Sequence, residues 1–243
     1  MHILITNDDG IEAAGLEALL AVATQFGAVT VVAPHTHQSA QSHAITLTVP
    51  LVAHEFCFDA FPDVRAIGLE GHPADCVRLA MRNLLEVPVD LVLSGINSGA
   101  NVGMNIHYSG TVGAAAEAAM YAIPAVAFSV ATPFAKEDRP DMTAAIEPCT
   151  ALLGKLIEAG IKPGDLININ LPNQFHHPTP KAVRVCRQSQ ARVRDTYREE
   201  RTDDAGRRFH IGDKFEFDNP SPDTDIELLR AGHITVTPIT IDS

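Results

Sequence analysis

Short, almost wholly apolar runs recur through the first 170 residues, separated by longer stretches with helical spacing. The runs are HILIT (2–6), VTVVAP (29–34), VDLVLS (89–94), AVAFSV (125–130) and LININLP (166–172). Such continuous runs suit parallel strands buried on both faces, whereas a strand with one wet face alternates polar and apolar residues. Between them, Ala14–Phe26, Ala74–Leu85, Thr111–Tyr121 and Thr143–Ala159 place apolar residues at helical intervals, and Gly160 closes the last. Parallel neighbours require a crossover, usually a helix. The chain is therefore expected to be an α/β protein: a mostly parallel sheet with helices on both faces.

After about Pro180 the pattern breaks. Residues 181–214 hold 10 of the 18 lysines and arginines, interleaved with acids. Phe209–Phe217 reads as a polar, hairpin-like segment, NPSPD (219–223) as a turn, and HITVTPI (233–239) as a returning strand. Two units are expected: a catalytic core over 1–180 completed by the strand 233–239, and a C-terminal β-hairpin arm over 181–232. The arm has too little apolar content for a core of its own, and an isolated two-stranded ribbon is marginal in water. Exchange of the arm between identical subunits is expected, giving a homodimer or tetramer.

Charge narrows the function classes. Net charge is −12, and residues 1–135 carry only Arg65, Arg78 and Arg82 against twelve acids. A structural grip on nucleic-acid backbone needs clustered cations, so it is not expected. No apolar run reaches the roughly 18–20 residues of a membrane span. The opening MHILITNDDG lacks the basic region of a secretory signal. Cys57, Cys76, Cys149 and Cys186 form no CxxC pair. A cytoplasmic protein without a membrane partner is expected.

Three loops follow three strands. Asn7-Asp8-Asp9-Gly10 ends the first. Two ionised carboxylates near 4 Å repel by about 4 kcal/mol at an effective dielectric of 20, and a hard divalent cation reverses the sign. The plainer alternative is an Asn-Asp-Gly turn with an N-cap aspartate. Ser94–Gly103 (SGINSGANVG) follows VDLVLS with three glycines and several amide and hydroxyl oxygens, and is either an anion- and metal-binding loop or a flexible connection. Tyr108-Ser109-Gly110-Thr111 opens an Ala-rich helix. It is an ordinary N-cap, or an anion site in a region nearly free of lysine. The loop Pro34–His43 holds three histidines at spacings that fit no zinc motif, and Ser39 as a polar ligand. Ligands bind outside the carboxyl ends of strands in open α/β sheets, so these loops converge on a metal-assisted phosphate site.

With these residues in view, the chain resembles the SurE family, the survival-protein E nucleotidases. The resemblance lies in ILITNDDGIEAAGLEAL, VVAPHTHQSAQSHAITL, PADCVRLA, DLVLSGINSGANVG with HYSGTVGAAAEA, and the later ININLP and GHITVTPI. It implies a Rossmann-like core and hydrolysis of nucleoside 5′- and 3′-monophosphates. It also implies dimers or tetramers with exchanged C-terminal arms. Carried over by position, Asp8, Asp9, Ser39 and Asn97 would ligate one Mg²⁺ or Mn²⁺ per subunit, with Asp8, Asp9 and Asn97 catalytic. Asn101, Ser109, Gly110 and Thr111 would hold the phosphate. The chain departs from the family pattern at His35 and Thr36, at Ala40 where glycine is common, at His72, and at Met104-Asn105.

The chemistry implied is in-line attack by a metal-activated water. His43 and His107 are the candidates to protonate the leaving group. Two alternatives stand beside it. An aspartyl-phosphate mechanism wants Asp-x-Asp and a nearby lysine, whereas Asp8 and Asp9 are adjacent and no lysine precedes Lys136. A non-catalytic nucleotide-binding protein on the same fold is the other.

Overall fold

The computed structural model describes residues 1–132, 141–174, 176–203, 206–211 and 216–241. Its centre is a nine-stranded sheet. The strands are β1 (His2–Thr6), β2 (Ala28–Pro34), β3 (Ala53–Phe58), β4 (Phe61–Leu69), β5 (Leu91–Ser98), β6 (Ala125–Val130), β7 (Leu166–Leu171), β8 (Val183–Val185) and, after the arm, β13 (Ile234–Ile239). Their order is β3-β4-β2-β1-β5-β6-β7-β13-β8. Six consecutive strands of that order, β4 to β7, pair in parallel. The antiparallel pairs are β3 with β4 and β13 with β7. This is the mostly parallel sheet expected from the apolar runs.

The helices are α1 (Ala14–Ala23), α2 (Pro73–Leu79), α3 (Gly110–Met120), α4 (Ile146–Ala159) and α5 (Asp225–Arg230). One core layer packs Leu16 and Leu19 of α1 and Leu152 and Leu153 of α4 against Ile3, Ile5, Leu93 and Phe128. The opposite layer packs Cys76 and Val77 of α2 and Val112 and Ala115 of α3 against Leu4, Val92 and Ala127. Alternate residues of one strand thus serve two cores, which is why those runs have no polar face. Two helices are shorter than their spacing predicts. The first ends at Ala23, and the 74–85 stretch ends as α-helix at Leu79 and continues as a wide π-type turn over Ala80–Leu84.

The chain leaves β1 toward β2 on one side, then returns to place β5 on the other. That reversal opens a crevice at the carboxyl ends of β1 and β5, the usual ligand position in such sheets. Asp8 and Asn97 lie on either side of it.

In the tail, β10 (Tyr197–Asp203) and β11 (Gly206–Ile211) form an antiparallel hairpin that, among the described residues, pairs with no other strand. The hairpin-like reading of Phe209–Phe217 is therefore displaced: Phe209 lies in the second hairpin strand, and residues 212–215 fall outside the described residues. Below the hairpin, β9 (Val193–Arg194) pairs with β12 (Glu216–Phe217), and Arg194 forms an ion pair with Asp218. The root is fixed to the core where Phe217 and Ala191 pack on Val102, Ile226 and Leu229.

Candidate functional site

The site is assembled around Asp8. Its side chain follows β1 directly, and the residue is 5% exposed. Asn7 closes the turn: its Nδ2 donates to the Gly10 carbonyl at 2.9 Å, and Gly10 N donates to Asn7 Oδ1 at 3.2 Å. The turn reading is correct for Asn7, but no aspartate caps α1. Its N-cap is Ala13, which makes no side-chain bond. Asp8 and Asp9 are left for other work.

The start of α3 abuts Asp8 from the opposite side. Thr111, fully buried, donates its hydroxyl to Asp8 Oδ1 at 2.5 Å. A Cβ at Gly110 would lie 2.8 Å from the Asp8 Cβ, so only glycine allows this approach. Ser109 is the N-cap, its Oγ accepting from Val112 N at 3.1 Å. The N-cap reading and the placement beside Asp8 hold together. The helix start, with its partial positive charge, faces the carboxylates.

Asp9 joins the other two loops. Ser98 N, next to Asn97, donates to Asp9 Oδ2 at 3.1 Å, and His37 Nδ1 stands 3.4 Å from Asp9 Oδ1. Ser39 hydrogen-bonds to Nε2 of that same imidazole. Gln38 N donates to the Asp8 carbonyl at 2.7 Å, which pins the loop over β1. Ser39 thus reaches the carboxylates through His37, a residue the sequence reading set aside among three histidines. Its separation of two from Ser39 was the available signal. Asn97 donates its Nδ2 to the Gly99 carbonyl at 2.8 Å, which fixes the plane of its amide.

Asn101 is held most firmly. Its N–H donates to Asn170 Oδ1 at 2.8 Å, and its carbonyl accepts from Asn168 Nδ2 at 2.8 Å and Asn170 Nδ2 at 3.0 Å. Its own Nδ2 donates to Ser129 Oγ at 2.9 Å. Strands β6 and β7 therefore grip the loop through buried amides and a hydroxyl. At the loop's far end Gly103 N donates to Asp225 at 2.8 Å. The loop is not the flexible connection that three glycines could have given. At Gly95, φ is +131° and a Cβ would lie 2.3 Å from the Phe128 carbonyl.

The departures from the family pattern cluster around this edge. The His35 ring packs on His54 with centroids 4.8 Å apart. Ala40 adopts φ +56°, the left-handed region that favours glycine. His72 donates its N–H to Asp75 Oδ2 at 3.0 Å at the start of α2.

Burial dominates the electrostatics of Asp8, whose carboxyl is pushed up to about 6. The Thr111 hydrogen bond opposes this and the neighbouring Asp9 charge adds to it. A buried Asp8 carboxylate next to Asp9, on an edge shared with the loops that carry Asn97 and Ser39, suits a hard divalent cation. Among the described residues no three His, Cys, Asp or Glu side chains group as a metal cluster. The fit rests on two carboxylates supplemented by amide and hydroxyl oxygens.

His43 and His107 both line a cavity of about 730 Å³ that reaches Ser109. His43 Nε2 lies 2.7 Å from Glu117 Oε2, and Arg78 donates to Glu117 Oε1 at 2.8 Å. Burial alone would raise the Glu117 carboxyl. The His43 and Arg78 contacts outweigh it and hold the group below its ordinary value.

A family model described as survival protein SurE matches residues 3–195. A protein of Maridesulfovibrio salexigens named 5′-nucleotidase SurE is 41% identical over 244 residues, covering 100% of this chain and 94% of that protein. A namesake from Nitratidesulfovibrio vulgaris is 43% identical, with the same coverage. Among solved structures, the SurE protein from Aquifex aeolicus superposes with a TM-score of 0.78 at 32% identity, covering 100% of this chain and 94% of that one.

Proposed function

The chain belongs to the SurE family, and from its site we propose that it is a divalent-metal-dependent nucleotidase acting on nucleoside 5′-monophosphates, and on 3′-monophosphates as well. The observation that carries this reading is the buried Asp8 carboxylate, adjacent to Asp9 and touched by Thr111 at the N-terminus of α3. Negative charge for a cation and a helix start for a phosphate lie side by side.

Asp8, Asp9, Ser39 and Asn97 would hold one Mg²⁺ or Mn²⁺ per subunit. When bound, such an ion polarises a phosphoryl oxygen and lowers the pKa of a bound water. The chain's own residues do the remaining work. Ser109, Gly110 and Thr111 would form the cradle for the phosphoryl oxygens at the positive end of α3. Thr111 also orients Asp8, so one side chain registers the phosphate against the carboxylates. Asn101, its amide shared with Ser129, closes the cradle from the opposite loop. The clamp on Asn101 keeps these donors in place before substrate arrives, which is where electrostatic catalysis gains most.

The same reading includes a homodimer or tetramer built through the arm, and a cytoplasmic setting. The hairpin supports the first: Tyr197, Phe209 and Ile211 are all at least 48% exposed on a ribbon with no sheet partner among the described residues. Among the described residues no helix is long and apolar enough to cross a membrane.

The test is phosphate release from nucleoside 5′- and 3′-monophosphates with Mg²⁺, Mn²⁺ or excess EDTA. Turnover that requires the cation and is abolished by Asp8→Asn is expected. Undiminished activity in EDTA, or in that variant, refutes the metal site.

A further inference from the structure

We infer that the cavity beside the start of α3 is the nucleoside subsite, with His43, set by Glu117, as its hydrogen-bonding group. The inference rests on the nucleotidase reading above and adds to it where the leaving group lies.

Position is the first argument. The cavity meets the phosphate cradle at Ser109 and runs along α3 past Val112 and Ala116 to Met120. A phosphomonoester held at the helix start has its leaving group directed into this space or into solvent. The second argument is size and surface. About 730 Å³ falls within the roughly 300–1,000 Å³ typical of small-molecule sites. Its lining includes the apolar Ile106, Val112, Ile239 and Ile241, which suit the faces of a heterocyclic base. It also includes the polar His43, His107, Arg187 and Gln188.

Charge is the third argument. The chain has 30 acids against 18 bases, yet among the described residues no carboxylate lines this cavity, and the one formal charge is Arg187. That balance suits a ligand bearing phosphate and disfavours a cation. The fourth is the geometry of His43. A carboxylate only accepts hydrogen bonds, so the 2.7 Å contact with Glu117 places a proton on His43 Nε2 and leaves Nδ1 as the acceptor of the neutral ring. Glu117 is itself fixed by Arg78, and Thr46 anchors the same loop through its N–H and hydroxyl on Asp75. A single acceptor on a held imidazole is a specificity device: it favours a base or ribose group that donates there. Glu117 acts through His43 and is a positioning residue.

Two substitutions narrow the cavity without touching the phosphate cradle. Ala116→Phe fills its middle, and Met120→Trp, at a position 60% exposed, crowds its far mouth where folding is least at risk. The measured quantity is kcat/KM for adenosine 5′-monophosphate divided by kcat/KM for p-nitrophenyl phosphate, with the inhibition constant of inorganic phosphate beside it. We expect the ratio to fall at least tenfold in one or both variants, through KM for the nucleotide. Glu117→Gln is expected to raise KM for the nucleotide several-fold more than it changes phosphate inhibition. An active nucleotidase whose ratio stays within twofold in both cavity variants overturns the subsite and leaves the nucleotidase reading standing. An unaltered chain that hydrolyses p-nitrophenyl phosphate but no nucleoside monophosphate refutes that reading instead.

Discussion

Replacing Asp8 by asparagine should stabilise the metal-free protein while destroying its activity, and the size of the effect follows from the site. The carboxyl, with an ordinary value of 3.8, is held at about 6, chiefly by burial. At about 1.4 kcal/mol per pH unit, keeping it ionised in the fold costs about 3 kcal/mol at neutral pH. Because the folded value lies above the unfolded one, protonation favours the fold. The penalty is absent below pH 3.8, grows as pH rises from there toward 6, and is complete above. Asparagine keeps the shape, still accepts from Thr111, and carries no charge to desolvate. For a chain of this length, such a gain corresponds to a rise in Tm of roughly 6–12 °C. The assay is thermal unfolding of both proteins in EDTA at pH 8 and pH 4. The variant should melt higher at pH 8, with the gap nearly closed at pH 4. Mn²⁺ at a thousandfold over its Kd should reverse the order at pH 8, since it then stabilises the unaltered protein by about 4.1 kcal/mol. A variant that melts at or below the unaltered protein at pH 8 in EDTA would refute the argument that burial strains this carboxylate.

Three further outcomes are expected. Thr111→Val removes the hydrogen bond that lowers the Asp8 value, so Mn²⁺ affinity measured by calorimetry should fall at pH 6.5 and recover by pH 9; a loss independent of pH would sink this account. Single-turnover hydrolysis in ¹⁸O-water should label the phosphate only, and label recovered in Asp8 or Asp9 by mass spectrometry would promote the covalent route. Replacing residues 195–215 by a short Gly/Ser linker removes the hairpin but spares Phe217 and Ala191 at its root; light scattering should then report a smaller oligomer, and an unchanged mass refutes the arm's role.

What could be read from the sequence follows from how local the physics was. AVAFSV is a strand as expected, and Gly160 ends α4 at φ +78°, because a continuous apolar run and a helix stop need no distant partner. The hairpin β3–β4 escaped the reading. Glu55, Asp59, Asp63 and Arg65 interrupt its apolar pattern, and Pro62 sits inside β4, as an outer pair with a wet edge permits. The six-residue α5 was too short to show a period. Asp8 and Asp9 were legible as a pair, since adjacency alone makes them unusual. The Thr111 bond to Asp8 spans 103 residues and the Asn170 bond to Asn101 spans 69, so both depend on strand register that sequence pattern cannot supply. His37 was passed over because its role depends on a loop turning back over β1.

The grip on Asn101 also sets the order in which a nascent chain can complete its site. Asp8, Ser39, Asn97 and Thr111 all leave the ribosome before the residues that lock the loop between them: Asn168 and Asn170 on β7, then Asp225, which bonds both Gly103 N and Ser189 N at 2.8 Å. During synthesis the half-finished protein carries its carboxylates and phosphate cradle beside a loop held by β6 alone. Only the last third of the chain turns that loop into a rigid one, so competence is conferred late in translation. A chain cut short after α4 would keep every presumed ligand and still lack the geometry to use them.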